Sequence, residues 1–231
     1  MLARIKGLLL IVEFVVTILI MIVLMYSFEK SNHKLRIAWA KMQSFIMGYK
    51  VIIKGTPDPE AKLLLLNHQS VVDIIAMEGI YPKNICWVAK QEIKNIPLFG
   101  HIITAPKMVA IDRKDKRSII KIIKMSKERI AEGRVMAIFP EGTRSDGKHI
   151  LEFQPGGKIL AEKLKLKVQP IVIVNTNNIF DSKKLLARSG ELSIIYLDTI
   201  DPKDDENWYE KTKIDMQRTL ENELANYTSH R

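Results

Sequence analysis

The sequence predicts an α/β domain, built on a mixed or parallel sheet with flanking helices, behind an N-terminal two-helix membrane anchor. Three observations lead to this prediction. A long apolar run opens the chain, short apolar runs then alternate with amphipathic stretches, and polar residues directly follow several of the short runs. The pattern changes near residue 50, so we assign residues 1–50 to the anchor and residues 51–231 to the α/β domain.

The first anchor helix is predicted from residues 8–28, which are apolar except for Glu13, Thr17, Tyr26 and Ser27. A helix of this length extends roughly 31 Å, enough to cross the hydrocarbon core of a bilayer. The run lacks the short apolar centre and the small-residue cleavage site of a signal peptide. Basic residues flank both of its ends, so the positive-inside rule gives no orientation. Glu13 is costly in lipid unless it reaches the interface or finds a partner.

The second anchor helix is predicted from residues 31–49, whose apolar side chains have helical spacing on one face. Lys34, Arg36 and Lys41 are available to meet lipid headgroups. A helix that packs on a core has the same periodicity, and the periodicity alone does not separate the two. Beside so long an apolar run, we interpret this segment as an interfacial helix.

Within the α/β domain, short apolar runs predict strands and amphipathic stretches predict helices. Breakers that contain Gly and Pro lie at residues 55–59 and 96–100. The predicted strands are residues 51–53, 63–66, 85–89, 108–111, 135–139, 168–174 and 192–197. The predicted helices are residues 71–80, 115–131, 157–164 and 207–227.

The charge of the chain predicts phosphate-bearing partners. Its formal net charge is +10, from 36 Lys and Arg against 26 Asp and Glu, which suits nucleic acid, an anionic membrane surface or a phosphorylated small molecule. The basic helix at residues 115–131 lacks interleaved aromatic residues. The apolar run indicates a membrane, whose anionic surface accounts for the basic charge better than nucleic acid does, so no nucleic acid is expected. The single cysteine, Cys86, lies in an apolar stretch, which indicates a buried structural thiol in an intracellular protein.

His68 and Asp73 lie five positions apart, directly after the predicted strand at residues 63–66. Imidazole has an unperturbed pKa of about 6.5, which suits proton abstraction near neutral pH, and a nearby carboxylate can fix its tautomer. Strand ends are the usual place for chemistry in α/β architectures. Taken alone, however, this spacing is more often a helix-capping loop in which both side chains satisfy backbone groups.

Two further strands end in charged residues. Asp112 and Arg113 follow the strand at residues 108–111, where the planar guanidinium of Arg113 can grip a phosphate bidentately. The strand at residues 135–139 is stopped by proline and followed by a loop with an acid, a glycine, hydroxyls and an arginine in succession. These loop residues are Pro140, Glu141, Gly142, Thr143, Arg144 and Ser145. A mere turn needs the proline and the glycine but not this succession. Pro170, within the run at residues 168–173, is typical of an edge strand or a strand start.

The ordered combination of these motifs resembles the glycerophospholipid acyltransferase family. The resemblance covers residues 63–174 and includes the stretch 88–100 between the first two motifs. It implies a mixed, largely parallel sheet flanked by helices. Many members have glycines just before the Asp-Arg pair of the second motif, whereas this chain has residues 106–110, Pro-Lys-Met-Val-Ala. That departure puts the shape of this wall of the site in doubt, but not the class.

The resemblance implies acyl transfer from a thioester to the free sn-2 hydroxyl of 1-acyl-glycerol 3-phosphate, which gives phosphatidic acid. His68 would be the general base and Asp73 would orient it. Substrate-binding roles fall to Arg113 and Arg144 for the phosphate, with Lys90 as a further candidate. Glu141 would accept a hydrogen bond from the acceptor or hold Arg144. The backbone near Gly142 would bind the oxyanion, and the hydroxyl of Thr143 would donate a hydrogen bond to the substrate.

No metal and no separate cofactor are expected, because the co-substrate is itself an acyl thioester of acyl carrier protein or coenzyme A. The partners implied are this donor, a membrane lipid acceptor and an anionic membrane surface. The expected location is the cell membrane, with the catalytic domain on the cytoplasmic face.

Other activities stay open from the residues alone. The acceptor could be glycerol 3-phosphate or another lysophospholipid. A thioester hydrolase would use water in place of the lipid hydroxyl and would have little need of two arginine-bearing loops. A non-catalytic basic membrane adaptor would bind anionic lipid without using His68.

Overall fold

The computed structural model describes residues 2–112 and 118–229. Within these residues, seven strands form one sheet in the order β1-β9-β6-β2-β5-β3-β4, and two short strands, β7 and β8, form a separate antiparallel hairpin. Neighbours in the large sheet are parallel except for the antiparallel pair β6 and β9, so the prediction of a mixed, largely parallel sheet is confirmed. The strands are β1 (Tyr49–Lys54), β2 (Leu63–Leu66), β3 (Ile85–Lys90), β4 (Val109–Ile111), β5 (Val135–Ile138), β6 (Val168–Val174), β7 (Phe180–Asp181), β8 (Leu186–Ala187) and β9 (Gly190–Tyr196).

The predicted helices are present, and short ones accompany them. The helix predicted at residues 115–131 is confirmed from Ser118 onward, and residues 115–117 lie outside the described part of the chain. Three helices of four residues and the β7–β8 hairpin were not predicted, because segments so short carry no hydrophobic period. The helices are α1 (Leu2–Ser27), α2 (Asn32–Met47), α3 (Val71–Ile80), α4 (Gln91–Lys94), α5 (His101–Thr104), α6 (Ser118–Ala131), α7 (Gly156–Leu164), α8 (Thr176–Ile179) and α9 (Trp208–Ser229).

The core lies on both faces of the central strands. All four leucines of β2 are fully buried, as is nearly every residue of β6. Successive side chains of a strand point to opposite faces, so continuous burial means that both faces are covered. Full burial of one leucine side chain contributes roughly 1.5–3 kcal/mol to folding. Because both faces of these strands are buried, every position gains from an apolar residue, and the strands appear in the sequence as unbroken apolar runs.

Pro170 does not mark an edge strand, because β6 lies between β9 and β2. The antiparallel ladder with β9 begins one residue later, where Ile171 is paired with Tyr196. The carbonyl of Pro170 accepts the N–H of Leu197 at 3.0 Å, just beyond the end of β9. Pro170 is the third residue of β6, so the expectation of a strand start is wrong as well. The N–H that proline lacks lies just before the first residue paired in the ladder with β9.

The N-terminal helices differ from the prediction of two anchor helices. Among the described helices, only α1 is long and apolar enough to cross a membrane. Helix α2 packs on α3 and buries Arg36, which forms an ion pair with Glu78. Arg36 is therefore not available to lipid headgroups, because an unpaired charge at this depth would be costly. The face of α2 that contains Arg36 therefore packs on the protein core, as the alternative interpretation of its periodicity predicts. On another face of the same helix, Phe45 is 87% exposed.

Helix α1 packs along the domain on one face and exposes apolar side chains on another. Its inner face is buried from Leu10 to Met25, and Gln43 of α2 donates hydrogen bonds to Glu13 at 2.7 Å and to Thr17 at 3.1 Å. Glu13 and Thr17 of the apolar run therefore pair with α2, and the cost of Glu13 in lipid is reduced by its hydrogen bond to Gln43. The exposed stripe consists of Ile5, Leu8, Leu9, Val12, Val16, Ile20 and Val23.

The first turns of α1 meet the β7–β8 hairpin at very short range. A Cβ atom on Gly7 would lie 2.3 Å from the carbonyl oxygen of Leu185 in the hairpin loop. The neighbouring Lys6 donates from Nζ to the carbonyl of Met47 at 3.1 Å and to the hydroxyl of Ser189 at 2.7 Å. Only glycine allows the two backbones to approach so closely at this position.

Substitution Gly7→Ala is expected to destabilise the protein, because the added methyl group meets backbone that cannot rotate away. Overpacking of this kind costs about 1–3 kcal/mol, and the melting temperature in detergent should fall by several degrees. Gly156→Ala is the matched control, because a Cβ atom on Gly156 meets nothing within 4 Å and lies at the start of α7. Equal melting temperatures for the two variants would contradict the close contact.

Candidate active site

The His68 loop and the first turn of α3 share one carboxylate. Oδ2 of Asp73 accepts the backbone N–H groups of Gln69 at 2.7 Å and Ser70 at 2.9 Å, and it lies 2.7 Å from Nδ1 of His68. Ser70 is the N-cap of α3 and Asp73 closes a capping box. The capping interpretation is therefore confirmed, and the same carboxylate also contacts the ring of His68. A carboxylate oxygen only accepts, so in the neutral ring of His68 the proton lies on Nδ1 and the lone pair on Nε2.

An aromatic stack fixes the plane of the His68 ring. The imidazole lies on Phe139 with ring centroids 3.9 Å apart and planes 14° apart. Phe139 in turn stacks on Trp87, with centroids 5.3 Å apart. Phe139 contacts the face of the His68 ring and Asp73 contacts its edge. The side chain of His68 remains 14% exposed, and the ring lines a cavity. An imidazole with so little rotational freedom is preorganised for proton transfer.

His68 opens into an apolar cavity of about 240 Å³. Helices α1, α2 and α3, strand β3 and helix α5 all contribute to its walls. Lys90 and Gly142 line the same cavity, so the structure brings both of these predicted site residues together with His68. The sequence had not identified the apolar walls, which include Phe14, Ile18, Met21, Trp39, Val71, Ile74, Ile93, Ile102 and Met108.

Glu141 ties the His68 loop to the third-motif loop. Its Oε1 accepts the backbone N–H of His68 at 2.7 Å, and its Oε2 accepts that of Leu151 at 2.7 Å. Arg144 bonds to Ser182, so the alternative that Glu141 holds Arg144 is wrong, while binding of the acceptor by Glu141, which is 4% exposed, stays a prediction. Burial raises the pKa of Glu141 to about 7, the two backbone hydrogen bonds oppose this shift, and the charges of Asp73 and Asp146 add to it.

The third-motif loop turns at Gly142, whose φ of 67° lies in the left-handed region that favours glycine. The N–H of Gly142 donates to the carbonyl of Phe139 at 3.0 Å, and the expectation that backbone near Gly142 binds the oxyanion stays a prediction. The N–H of Ser145 donates to the carbonyl of His68 at 2.8 Å, which closes the loop over the histidine. Thr143 is exposed at the surface of the same loop.

Arg144 lines a second cavity, of about 220 Å³, beside the His68 loop. Its Nη1 donates to the hydroxyl of Ser182 in the β7–β8 hairpin at 2.9 Å. Gln69, the neighbour of His68, lines this second cavity as well. The second cavity is also lined by two lysines of the hairpin, Lys183 and Lys184. These lysines were not predicted as site residues, because the hairpin itself was not predicted. Arg113, the other predicted phosphate ligand, lies outside the described residues.

Cys86 is fully buried, as the apolar stretch around it predicts. Its Sγ lies 3.8 Å from the carbonyl of Lys107, and burial raises the pKa of the thiol. A buried thiol that keeps its proton is a poor nucleophile, so the prediction of a structural role is confirmed.

The chain is similar to known acyltransferases over most of its length. The family model described as Acyltransferase matches residues 50–174. The 1-acyl-sn-glycerol-3-phosphate acyltransferase of Helicobacter pylori is 39% identical over 204 residues, which cover 87% of this chain and 86% of that protein. The protein of the same name from Cocos nucifera is 29% identical over 162 residues, which cover 69% of this chain and 53% of that protein.

A solved structure shares the fold. The crystal structure of the 1-acyl-sn-glycerophosphate (LPA) acyltransferase PlsC from Thermotoga maritima superposes with a TM-score of 0.74 at 22% identity. The match covers 97% of this chain and 95% of that one. It therefore extends through the N-terminal helices as well as the sheet.

Glu141 predicts a pH dependence of stability. Its pKa is raised from 4.5 to about 7 in the folded state, so the unfolded chain loses this proton first and stability falls as pH rises between these values. In Glu141→Gln this contribution is absent, and the difference in unfolding free energy between the two proteins should change by on the order of 3 kcal/mol from pH 5 to pH 7.5.

Thermal unfolding in detergent at both pH values measures the difference. Glu152→Gln is the matched control, because its side chain is 80% exposed. A pH dependence that is the same in wild type, Glu141→Gln and Glu152→Gln would contradict the role of burial.

Proposed function

The chain belongs to the acyltransferase family, and we propose that it transfers a fatty acyl group from a thioester to the sn-2 hydroxyl of 1-acyl-sn-glycerol 3-phosphate, giving phosphatidic acid. The observation that carries this proposal is the position of His68, held by Asp73, on the wall of an apolar cavity beside a cavity that contains Arg144. The Helicobacter pylori relative, which carries the name of this activity, supports the choice of acceptor.

His68 acts as the general base in the proposed mechanism. Its Nδ1–H is donated to Asp73, which leaves the lone pair on Nε2 to accept the proton of the sn-2 hydroxyl. The hydroxyl oxygen attacks the thioester carbonyl and forms a tetrahedral intermediate. The buried carboxylate of Asp73 stabilises the imidazolium that forms beside it.

Collapse of the intermediate breaks the carbon–sulfur bond and completes the transfer. The thiolate leaves and takes the proton from Nε2 of His68, which restores the neutral imidazole. The products are the diacyl lipid and the free thiol of the carrier, and no covalent acyl-enzyme is formed. The chemistry uses the thioester as its activated group, so it calls for no further cofactor.

The apolar cavity is suited to an acyl chain. Its walls are formed largely by aliphatic and aromatic side chains, and α1 contributes Phe14, Ile18, Met21 and Met25. Burial of a chain there gains roughly 0.8 kcal/mol for each methylene removed from water. Helix α1 therefore serves as part of the binding site as well as the attachment to lipid.

The exposed stripe of α1 supports contact with a membrane. A helix whose inner face packs on the domain from Leu10 to Met25 cannot be surrounded by lipid over that length, so we assign α1 to the interface of one leaflet. The basic charge of the chain favours an anionic surface. Thioesters of acyl carrier protein or coenzyme A are soluble and intracellular, which assigns the catalytic domain to the cytoplasmic face.

The second cavity is suited to the glycerol phosphate. Arg144 supplies a planar guanidinium, and Lys183 and Lys184 add two ammonium groups to the same wall. Asp146 and Asp181 line this cavity too, so its balance of charge is only modestly positive. Lys90 in the first cavity remains a candidate for the same phosphate or for the donor, and Arg113 remains a prediction from the sequence.

Purified protein in detergent, given labelled lysophosphatidic acid with acyl-carrier-protein or coenzyme A thioesters, tests the reaction. His68→Ala and Asp73→Asn should each lower the rate of phosphatidic acid formation by about 10²–10⁴-fold, because the base or its orientation is lost. His149→Ala, at an exposed histidine, is the control. The preferred thioester identifies the donor. Thioester loss without lipid product would indicate a hydrolase, and lipid binding without turnover would indicate an adaptor.

Arg144→Gln should raise KM for lysophosphatidic acid by about 10- to 100-fold with little change in kcat. Loss of a hydrogen bond to a charged group costs roughly 1.5–3 kcal/mol, and each 1.4 kcal/mol corresponds to a factor of ten. Arg218→Gln on the exposed face of α9 is the matched control. An unchanged KM in Arg144→Gln would remove the second cavity as the phosphate site.

A further inference from the structure

The carboxyl end of β6 lies beside the carboxyl end of β2. These strands are parallel neighbours, and Leu66 at the end of β2 is paired with Ile171 of β6. Asn67 extends this pairing with its side chain, which donates to the carbonyl of Ile173 at 2.8 Å and accepts its N–H at 2.7 Å. The segment that follows β6 is therefore held against the loop that carries His68.

Thr176 is the residue of that segment which reaches the site. It begins α8 and is fully buried, and its hydroxyl forms a hydrogen bond with Oδ1 of Asp73. The three donors described above all meet the other oxygen, Oδ2. A buried carboxylate needs donors on both of its oxygens, and among the described residues the donor on Oδ1 is Thr176.

The direction of the Thr176 hydroxyl follows from its surroundings. Gln69 donates from Nε2 to the carbonyl of Ile173, so its Oε1 is an acceptor, and it lies 3.4 Å from Oγ1 of Thr176. The hydroxyl thus faces two acceptors with one hydrogen, and Asp73 is the nearer. The preceding residue, Asn175, has a φ of 74°, a left-handed conformation that asparagine tolerates.

We propose that Thr176 is a positioning residue of the acyl transfer, which holds the carboxylate of Asp73 in the orientation that aligns His68 as the base. This inference rests on the proposed function. Thr176 touches neither substrate nor the reacting nitrogen, and it acts only through Asp73. The hydrogen-bonded series runs from Thr176 through Asp73 to Nδ1 of His68.

Removal of the Thr176 hydroxyl is expected to shift the pH profile of kcat/KM in one direction. Without the donor on Oδ1, the charge of Asp73 is less neutralised and attracts the protonated imidazole more strongly. At a given pH, a larger fraction of His68 is then protonated and unable to act as a base. The acid limb of the kcat/KM profile should therefore move to higher pH, and loss of orientation should lower kcat.

Other titratable groups near His68 need to be separated from this effect. Asp73 from α3 faces the ring, and Glu141 accepts the backbone N–H of His68. Lys90 from β3 lines the same cavity, as does the ion pair of Arg36 from α2 with Glu78 from α3. Asp146 acts on Glu141 through its charge. Glu141 has a pKa of about 7 and titrates in the same range, so the profiles are compared in both the wild-type and the Glu141→Gln background.

The test is a donor series at residue 176, made in the full-length protein in detergent. Thr176→Val keeps the shape without the hydroxyl, Thr176→Ser keeps the hydroxyl, and Thr176→Cys offers a weaker donor. Thr212→Val is the matched control, because Thr212 is equally buried but donates to the carbonyl of Trp208 within α9. Melting temperatures establish whether each variant is folded. If Thr176→Val is not folded, Thr176→Cys takes its place in the comparison.

We expect kcat to fall about 10- to 100-fold in Thr176→Val, with KM for both substrates within about twofold of wild type. The acid limb should move to higher pH, serine should restore both quantities, and cysteine should lie between. Wild-type kcat and pH profile in folded Thr176→Val or Thr176→Cys would overturn the proposal. So would the same loss of kcat in Thr212→Val.

A second readout does not depend on turnover. The pH dependence of His68 modification by diethyl pyrocarbonate, read by mass spectrometry, reports how much of the ring is unprotonated. Its midpoint should be higher in Thr176→Val than in wild type. If the wild type makes no phosphatidic acid but the midpoints differ, the proposed function fails while the link from Thr176 to His68 stands. Equal midpoints would overturn that link whatever the reaction.

Discussion

The carboxylate of Asp73 is the constraint on which the site depends. It is fully buried, and an ionised carboxylate in such a place is tolerated only when hydrogen-bond donors surround it. Those donors come from the His68 loop, from the cap of α3 and from the segment after β6. Two separate segments of the chain, residues 68–70 and the start of α8, must therefore meet at Asp73 before the charge is stable, and the same arrangement orients the imidazole.

A second carboxylate, that of Glu141, holds the site from the opposite side. It accepts the backbone N–H groups of His68 and Leu151, and so joins the loops after β2 and β5. The stack of His68 on Phe139 and of Phe139 on Trp87 adds a contact that resists rotation of the ring. His68 is thus fixed through its ring nitrogen, its backbone and the face of its ring, each by a different part of the chain.

Much of this was predictable from local sequence. The strands are unbroken apolar runs because both faces of the sheet are covered, and His68 and Asp73 meet because their spacing fits a capped helix start. The contacts of Glu141 and Arg144 were not predictable, because each depends on a partner far along the chain, His68 in one case and Ser182 in the other. The buried face of α2 was missed for a related reason: an amphipathic period does not say whether protein or lipid covers the apolar side.

Helix α1 supplies part of the wall of the apolar cavity and also an exposed apolar stripe, which the proposed function assigns to an acyl chain and to lipid. It follows that this helix cannot be exchanged as a module. A generic transmembrane segment in its place would keep the protein at the membrane, yet it would leave the cavity open on one side and alter which acyl chains fit. Under the proposed function, substitutions of the α1 residues that line the cavity would therefore alter substrate selection as well as membrane attachment.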